Sequence, residues 1–403
     1  MSSAEPSRTL LCSGSLEGGG SERQLWQLAC SLDQALFDPQ VYLLYRRGTY
    51  LERLPEGMPV HDYWSQAKFG FSLPGQIHRR QVRHLEQTIR KQGIQLVYDR
   101  TYHMTLVCAP ACWKAEVPRV SVIVSPPSRD FEHGNERFKF LKKKLLRKAY
   151  SDPNANTIAV SEEVADDACE YFGISREQIH VFPNPVDIRQ VQRQAEVQEA
   201  PSASARPGFN CCVVGRMSQE KGQDIAIQAF ASALDLARAK DQDVRMSLNL
   251  VGSGPDRDTL RARAEELQVA EHVHFHGFLE NPYPIIAASD LLILPSVYEG
   301  LPNVVLEAMA LETPVLATPC SGTLQRILNG ANHDFGKIGM QVESRSTQEI
   351  ADAICQLQTN PEMRFQFAAS ALKFVEAEHG LEAWLSRMQD VFAARISCGG
   401  QAP

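Results

Sequence analysis

Short runs of β-branched and aliphatic residues alternate with longer amphipathic segments along most of the chain. The first half carries such runs at TLLCSG, VYLLY, IQLVY, RVSVIV and NTIAVS, each followed by residues with helical spacing. The alternation restarts with NCCVVG, MSLNLVG, HVHFHG, DLLILP and TPVLAT. Strands that alternate with helices are typical of a parallel sheet covered by helices. The pattern therefore predicts an α/β protein with two doubly wound parallel-sheet domains in tandem.

The same patterning predicts the domain limits. Residues 193–208 are rich in Ala, Ser, Glu and Pro, which bury little and interrupt helices, so they are predicted to form the linker. The first domain then covers residues 1–192 and the second domain residues 209–375. After Ser346 the pattern contains helices only. Residues 376–403 are predicted to form a terminal helix that packs back on the first domain.

Composition narrows the classes of function. The chain has 403 residues, 43% of them apolar, which is enough for two buried cores. The net charge of -7 gives no long-range attraction for nucleic acid, which is not expected as a partner. The ten cysteines include no CxxC pair, so a reduced, cytoplasmic setting is expected. No apolar run is long enough for a signal peptide or a membrane span, so we expect a soluble or peripheral protein.

A glycine-rich turn follows the first predicted strand. Gly19 and Gly20 precede a helix that is predicted to begin at Ser21, with a capping box to Gln24. Glycines let a ligand approach the backbone, and a helix N-terminus favours an anion. A phosphate site and a ligand-free tight turn both fit this pattern. The spacing lacks GxGxxG, and no acidic residue ends the second strand, which argues against a nicotinamide oxidoreductase.

Two cations follow the first strand of the second domain. Arg216 and Lys221 lie in VVGRMSQEKG. Ligands of doubly wound sheets bind outside the carboxyl ends of the strands, so we expect both side chains to face a cleft between the domains. Taken alone, an Arg and a Lys at this spacing are also typical of a solvated loop.

Two carboxylates stand eight positions apart in SVYEGLPNVVLEAMALETPV. Glu299 lies in a loop after a buried strand, and Glu307 lies in the first turns of a helix that opens near Asn303. The amides of residues 300–303 and the helix dipole favour a phosphate, while a carboxylate accepts hydrogen bonds from a sugar diol. The combination fits a nucleotide diphosphate sugar. A glycosidase-like acid and base pair is the competing chemical interpretation, and two ordinary surface charges are the structural one.

Histidine and cysteine clusters give weaker signals. His272, His274 and His276 alternate along a strand, but a strand covered on both faces leaves little room for a metal, so no metal site is expected. Cys108 and Cys112 share a helix face and are interpreted as buried thiols.

The motifs together resemble a known family. VVGRMSQEKG, LVGSGP, HFHGF, SDLLILPSVYEGLPNVVLEAMALETPV and the earlier VFPNPVD resemble, in order, the second domain of family 4 glycosyltransferases. EGGGSERQ and IAVSEEV extend the resemblance more loosely to the first domain. It implies the GT-B fold, in which two Rossmann-like domains face an interdomain cleft.

The resemblance also implies an activity. A hexose or N-acetylhexosamine would be transferred with retention from a nucleotide-diphosphate sugar, expected to be a UDP-sugar, to a glycan or lipid-linked acceptor in cell-surface polysaccharide or glycolipid biosynthesis. No metal or other cofactor is expected, because Arg216, Lys221 and helix N-termini can neutralise a diphosphate. The DxD pair of Asp241 and Asp243 lies in a charged loop. A nucleotide-sugar epimerase of the same fold and a non-catalytic partner subunit are the alternatives.

Site residues carry over from the family by motif. Arg216 and Lys221 correspond to the phosphate-binding Arg and Lys, Glu299 to the glutamate expected on the donor sugar, and Glu307 to the one expected on the ribose. Arg216, Lys221 and Glu299 are also assigned the catalytic role. The predicted donor-binding set is Gly19, Gly20, Arg216, Lys221, Gly277, Phe278, Glu299, Gly300, Leu301, Pro302, Asn303 and Glu307.

The acceptor side is less well marked. The family often has a histidine after the fifth strand, where this chain has Ser125. Arg100, His103, Ser125 and His133 follow strands of the first domain and are assigned to the acceptor. Residues 136–150 combine seven Lys and Arg with apolar residues at helical spacing, and are predicted to contact an anionic membrane from the cytoplasmic side. A helix packed on the sheet with solvated lysines is the alternative.

Overall fold

A computed structural model describes residues 5–17, 19–66, 75–133, 138–197, 207–240, 243–330 and 334–399. The chain forms two compact units, one made of Met1–Pro183 with Glu382–Pro403 and the other of Asn184–Leu381. The second unit therefore begins at Asn184, earlier in the sequence than the linker predicted at residues 193–208. The reason is that residues just after Asn184 fold onto the second unit, where Val191 is fully buried.

The first unit contains a seven-stranded sheet in which every pair of neighbouring strands is parallel. Its strands are β1 (Ser7–Ser13), β2 (Phe37–Leu43), β3 (Val60–Asp62), β4 (Leu96–Arg100), β5 (Arg119–Ile123), β6 (Ala155–Ala159) and β7 (Ile179–Val181). The spatial order is β3-β2-β1-β4-β5-β6-β7, so the direction of winding reverses between β1 and β4. Sheets of this kind bind ligands at such a reversal.

In the described part of the first unit, six α-helices lie between successive strands of the chain. They are α1 (Gly20–Ser31), α2 (Gln76–Gln92), α3 (Tyr102–Ala115), α4 (Pro127–His133), α5 (Lys139–Tyr150) and α6 (Glu162–Phe172). Helix α1 begins one residue before Ser21, and its N-cap is Gly19, which makes no side-chain capping bond. The predicted capping box between Ser21 and Gln24 is therefore wrong, because both side chains lie inside the helix.

The second unit contains a six-stranded sheet with the order β10-β9-β8-β11-β12-β13. Its strands are β8 (Phe209–Val214), β9 (Met246–Val251), β10 (Val273–Gly277), β11 (Leu291–Leu294), β12 (Val315–Ala317) and β13 (Met340–Gln341), again with parallel neighbours. Its helices are α7 (Ile188–Val197), α8 (Gln223–Lys240), α9 (Arg257–Glu266), α10 (Tyr283–Ala287), α11 (Asn303–Ala310), α12 (Gly322–Asn329), α13 (Thr347–Thr359) and α14 (Pro361–Glu378). Winding reverses between β8 and β11.

Helices cover both faces of the second sheet. Cys211 in β8 belongs to an apolar cluster that includes Phe230 of α8, whereas the next residue, Cys212, belongs to a cluster that includes Val305 of α11. Successive strand residues point to opposite faces. Continuous burial along β8 therefore reflects two cores, one on each side of the sheet.

A last helix, α15 (Leu381–Gly399), completes the first unit. The ring of its fully buried Phe392 lies 5.9 Å from Phe37 and 5.7 Å from Tyr98, so the helix packs on strands β2 and β4. The sequence pattern places the start of this returning segment at residue 376, but α14 continues to Glu378 within the second unit. None of the helices in the described ranges has the length and apolar character that crossing a bilayer requires.

Candidate functional site

The loops after β8 and β11 meet where the winding of the second sheet reverses. Val297 N–H donates to the Glu220 carbonyl oxygen at 2.8 Å. Gly222 has a φ of +67°, and a Cβ at this position would overlap the carbonyl oxygen of Pro295. Glycine at 222 is therefore required both for the turn and for the close approach of the two loops. This contact brings Lys221 and the first predicted carboxylate together.

Lys221 and Glu299 form an ion pair at the centre of this contact. The Lys221 Nζ lies 2.6 Å from Glu299 Oε1, and their side chains are 31% and 13% exposed. The buried Ser296 hydroxyl donates to the same oxygen at 2.8 Å, and Glu299 N–H donates to the Cys320 carbonyl oxygen at 2.9 Å. The carboxylate is thus held in one orientation, in an environment that excludes much of the water.

Arg216 lies on the same connection between β8 and α8 as Lys221, and its backbone is held from two directions. Gln223 Nε2 donates to the Arg216 carbonyl oxygen at 2.8 Å, and Met217 N–H donates to Ser253 at 2.9 Å. The arginine side chain itself is exposed. The fold therefore fixes the Arg216 backbone while leaving its guanidinium at the surface, as binding an anion requires.

Glu220 keeps a negative charge among these cations. Burial disfavours its charged form, but the Ser218 hydroxyl, which donates at 2.6 Å, and the charges of Arg216 and Lys221 together lower its pKa. Burial also raises the pKa of the Cys320 thiol to about 12, with the Glu299 charge acting in the same direction. Cys320 is therefore a neutral packing group.

The start of helix α11 is fixed through its carbonyl groups. Ser321 Oγ donates to the Gly300 carbonyl oxygen at 2.8 Å, and Asn184 Nδ2 donates to that of Leu301 at 3.0 Å. Pro302 is the N-cap and makes no side-chain capping bond to the helix. The N-terminus of α11, opening at Asn303, thus directs its dipole towards the loop that carries Glu299.

Glu307 lies inside the same helix. Its side chain is 6% exposed. A carboxylate is seldom so buried unless hydrogen bonds compensate for the lost hydration. The sequence places Glu307 one turn inside the helix, and the structure adds that it is buried and not a surface charge.

The carboxyl end of β10 carries two further residues of the predicted donor-binding set, Gly277 and Phe278. Gly277 has a φ of +71°, and its carbonyl oxygen accepts from Gly252 N–H at 2.8 Å. Phe278 is a half-exposed aromatic residue directly after it. Gly215, Gly252 and Gly277 thus end neighbouring strands.

In the first unit, the predicted glycines Gly19 and Gly20 are exposed, whereas the predicted acceptor residue Arg100 is buried. Gly19 and Gly20 begin α1 after β1. Arg100 is almost completely buried at the end of β4, and its Nη1 donates to the Tyr98 hydroxyl at 3.1 Å. Burial raises the pKa of Glu22, which the Arg100 charge opposes. Arg100 therefore has a role inside the unit, whatever it contributes to an acceptor.

His103 and Ser125 line one cavity of about 150 Å³ at the carboxyl ends of β4 and β5. Asp130 lines the same cavity, and the Ser125 hydroxyl donates to its Oδ2 at 2.5 Å. Burial raises the pKa of Asp130, although the bond from Ser125 opposes this. Asp130 has no recognisable sequence signal. His133 ends α4, and the prediction for its side chain lies outside the described residues.

The histidines of the β10 region make ordinary structural contacts. His272 Nδ1 lies 3.1 Å from the Met246 carbonyl oxygen, and His276 Nε2 lies 2.8 Å from Asn249 Oδ1. Strand β10 is at an edge of the sheet, and Val273 is its one buried residue, so the strand is less completely buried than the sequence analysis expects. Within the ranges that the structure describes, no three His, Cys, Asp or Glu side chains are placed to hold a metal ion.

The two remaining sequence signals have different outcomes. Cys108 and Cys112 are buried free thiols whose pKa burial raises, in agreement with their interpretation as core residues. Asp241 lies outside the described residues, so the placement of the DxD pair stays a prediction.

Known families match both units of the chain. Residues 208–360 match the family described as Glycosyl transferases group 1, and residues 18–190 match Glycosyltransferase Family 4. The chain belongs to glycosyltransferase family 4. This assignment confirms the family that the sequence motifs resemble.

Two curated relatives and one solved structure illustrate the similarity. An alpha-D-kanosaminyltransferase from Streptomyces kanamyceticus is 31% identical over 193 residues, which are 47% of this chain and 46% of the relative. A GDP-mannose-dependent alpha-(1-6)-phosphatidylinositol monomannoside mannosyltransferase from Mycobacterium tuberculosis is 28% identical over 206 residues, 49% of this chain and 50% of the relative. The chain thus spans about half the length of the curated relatives it matches.

The structural similarity is more extensive. HepE from Anabaena, solved in complex with UDP and glucose, superposes with a TM-score of 0.77 at 21% identity, covering 96% of this chain and 99% of HepE. At this identity the similarity shows the fold. The two parallel-sheet units therefore have the GT-B architecture predicted from the sequence.

Proposed function

We propose that this glycosyltransferase family member transfers a hexose or N-acetylhexosamine from a UDP-sugar to a glycan or lipid-linked acceptor, with retention, in cell-surface polysaccharide or glycolipid biosynthesis. The observation that carries the proposal is the Lys221–Glu299 pair beside the N-terminus of α11, at the point where the second sheet reverses. HepE was solved with UDP and glucose, which supports the choice of nucleotide.

Each group has a defined task in the proposed reaction. The bond between the sugar C1 and the diphosphate oxygen breaks, and its electron pair leaves with the nucleoside diphosphate. Arg216, Lys221 and the N-terminus of α11 stabilise that charge, and one such group contributes about 3 kcal/mol where water is excluded. The acceptor oxygen bonds to C1, and its proton passes to the departing phosphate. Glu299 accepts bonds from sugar hydroxyls, and Glu307 from the ribose.

A ligand panel tests the proposal. Thermal unfolding is measured with UDP-, GDP- and ADP-sugars, because a ligand at 100 times its Kd stabilises the folded state by about 2.7 kcal/mol. The GDP-sugars belong in the panel because the mycobacterial relative is named as GDP-mannose-dependent. Stabilisation by none of the three classes contradicts the proposal. Free sugar or an epimer formed from the donor alone indicates an epimerase, and binding without turnover on any acceptor indicates a non-catalytic partner subunit.

Excess chelator is expected to leave transfer from the identified donor essentially unchanged. Cationic side chains and helix amides neutralise the leaving diphosphate in the proposed site, so no divalent ion is required. The measurement is the initial rate with and without EDTA, followed by addition of magnesium or manganese. Loss of all activity in EDTA that either metal restores would show that the site depends on a cation.

We also propose a peripheral membrane contact through residues 136–150, of which the structure describes 138–150. Phe138, Phe140 and Leu141 are 67%, 83% and 64% exposed, whereas Leu146 is completely buried. The helix therefore packs through its second half and leaves three apolar side chains, that of its N-cap residue Phe138 and two in its first turn, exposed to water. The lysines are less available than the pattern suggests, since Lys139 Nζ donates to the Phe131 carbonyl oxygen at 2.5 Å and Lys143 lies 4.0 Å from the Tyr171 ring centre.

Replacing Phe140 and Leu141 together by serine is expected to lower binding to anionic vesicles at least about tenfold. Burial of one such side chain stabilises an apolar contact by about 1.5 to 3 kcal/mol, so partial insertion of two is enough. Cosedimentation with phosphatidylserine vesicles measures the effect at two salt concentrations. Phe365→Ser is the control, because Phe365 is also largely exposed but lies in the second unit. Equal cosedimentation of the double variant and this control would support the packed-helix alternative.

A further inference from the structure

The chain enters the second unit at a residue that is bonded to the candidate donor loop. Asn184 is the first residue of this unit and is 8% exposed. Its Nδ2 donates to the Leu301 carbonyl oxygen at 3.0 Å, across 117 positions of sequence. Leu301 lies between Glu299 and the start of α11. Because the two residues are so far apart in sequence, this hydrogen bond fixes the loop relative to another segment of the unit. It does not merely stabilise a turn within the loop.

The chain leaves this unit beside the same residue. His379 is buried, and its Nδ1 lies 2.9 Å from the Asn184 carbonyl oxygen. A carbonyl only accepts, so His379 carries its proton on Nδ1. Val186 N–H donates to the His379 carbonyl oxygen at 2.9 Å, and Val186 also pairs with Gly380 as an isolated bridge. The incoming and outgoing segments are therefore joined to each other and to the loop.

The hydrogen bond from Asn184 to the Leu301 carbonyl holds a part of the loop whose backbone is already restricted by the following proline. The peptide group between Leu301 and Pro302 is planar, and the proline ring fixes φ of residue 302, so the orientation of the Leu301 carbonyl sets the direction in which the chain enters α11. Ser321 fixes the preceding carbonyl, that of Gly300, and with it the Leu301 N–H. Two side chains from outside the loop thus determine where its amides and the N-terminus of α11 point.

We infer that Asn184 is a positioning residue for the donor loop and that His379 holds Asn184 in place. The inference rests on the proposed function in one respect, namely that the ligand of this loop is a nucleoside diphosphate. Asn184 does not need to touch the ligand. It acts through the orientation of the loop, which is why its effect has to be separated from a general loss of stability.

The structure offers a matched control. Gln192 Nε2 donates to the Ala310 carbonyl oxygen at 3.0 Å, which is the same type of bond, from α7 to the last residue of α11. Asn184→Ala and Gln192→Ala therefore each remove one amide-to-carbonyl bond, at opposite ends of α11. We expect both to lower the Tm by a few degrees, as loss of one hydrogen bond does. Only Asn184→Ala is expected to weaken UDP binding, by about tenfold.

A second readout needs no ligand. In the unliganded protein, amide hydrogen exchange of residues 299–305 is expected to speed up in Asn184→Ala and to stay unchanged in Gln192→Ala. Asn184→Asp has the same shape but places an oxygen against the Leu301 carbonyl, and is expected to behave like Asn184→Ala. His379→Gln keeps an N–H donor and is expected to retain UDP affinity, whereas His379→Leu is expected to lose it about tenfold.

The outcomes separate this inference from the proposed function. Failure of the parent protein to bind any nucleotide in the panel overturns the function, while the exchange comparison still decides the role of Asn184. Equal loop exchange and equal UDP affinity in Asn184→Ala and Gln192→Ala overturn the role of Asn184. Parent-like UDP affinity in His379→Leu overturns the role of His379.

Discussion

Lys221→Ala is expected to lower kcat/KM for the nucleotide-sugar donor by about 100- to 1000-fold, the scale for one lost donor to a developing charge. Two effects combine. The leaving diphosphate loses a cation, and Glu299, whose side chain is 13% exposed, loses the partner that lies 2.6 Å away. Donor titrations and steady-state transfer with the identified donor measure the two effects separately.

A second substitution distinguishes the two causes. Glu299→Gln in the Lys221→Ala background removes the unpaired carboxylate, so it is expected to recover thermal stability but not transfer. Lys240→Ala is the matched control, because Lys240 is an exposed cation at the end of α8. A loss of less than about threefold in Lys221→Ala would mean that Lys221 does not meet the diphosphate and that the ion pair is a structural contact.

The fold was largely predictable because its signals are local. The strands β1, β4, β5 and β8 are largely buried, so their sequences contain short apolar runs between amphipathic helices. The pattern missed β3, β7 and β13, which have two or three residues each, although it found the equally short β12 within the apolar run TPVLAT. So few residues cannot show a periodicity, and these strands form because a neighbouring strand offers hydrogen-bonding groups.

The limits of the units were less predictable. Composition favoured residues 193–208 as the linker, yet the chain enters the second unit at Asn184. Residues 188–197 are polar in sequence, but they form an amphipathic helix whose Val191 is completely buried. A single buried residue on a mostly polar helix has little effect on composition. In the folded protein, however, its burial makes this helix part of the second unit and not part of the linker.

The candidate site was predictable as a set of chemical groups but not as an arrangement. Motifs identified Arg216, Lys221, Glu299 and Glu307, and the rule for parallel sheets placed their loops on one edge. The Lys221–Glu299 ion pair joins residues 78 positions apart, and the bond from Ser296 to the same carboxylate oxygen was not expected either. Such contacts depend on the register between β8 and β11, which no local pattern encodes.

The structure also changes what is expected of the two glutamates. Glu299 is already paired with Lys221, so the proposed donor site would require the lysine to be shared between the carboxylate and the diphosphate. Glu307 is 6% exposed and belongs to the body of α11. In the proposed site, Glu299 would therefore respond to the sugar and its leaving group, and Glu307 to a part of the ligand that approaches the helix itself.

Glu307→Ala is expected to weaken binding of the bare nucleoside diphosphate by about 1.5 to 3 kcal/mol, the scale for a hydrogen bond to a charged group, which is roughly 10- to 150-fold in Kd. Glu299→Ala is expected to leave this binding intact, because removing the carboxylate releases Lys221 towards the phosphates. It is expected instead to lower kcat/KM for the full donor, with much of the loss in kcat if the sugar contact tightens as the bond to C1 opens. Calorimetric titration with the nucleoside diphosphate, followed by transfer assays, measures both.

The comparison requires that both variants stay folded, and the burial of Glu307 makes this the main control. Glu307→Gln keeps the shape of the side chain and removes its charge, so it is expected to retain most of the thermal stability while still weakening the ribose contact. Equal losses of nucleoside diphosphate binding in the Glu299 and Glu307 variants would contradict the division of roles. Unchanged binding and unchanged transfer in both would reduce Glu299 to the partner of Lys221 and Glu307 to a buried acid of α11, because neither carboxylate would then contact the donor.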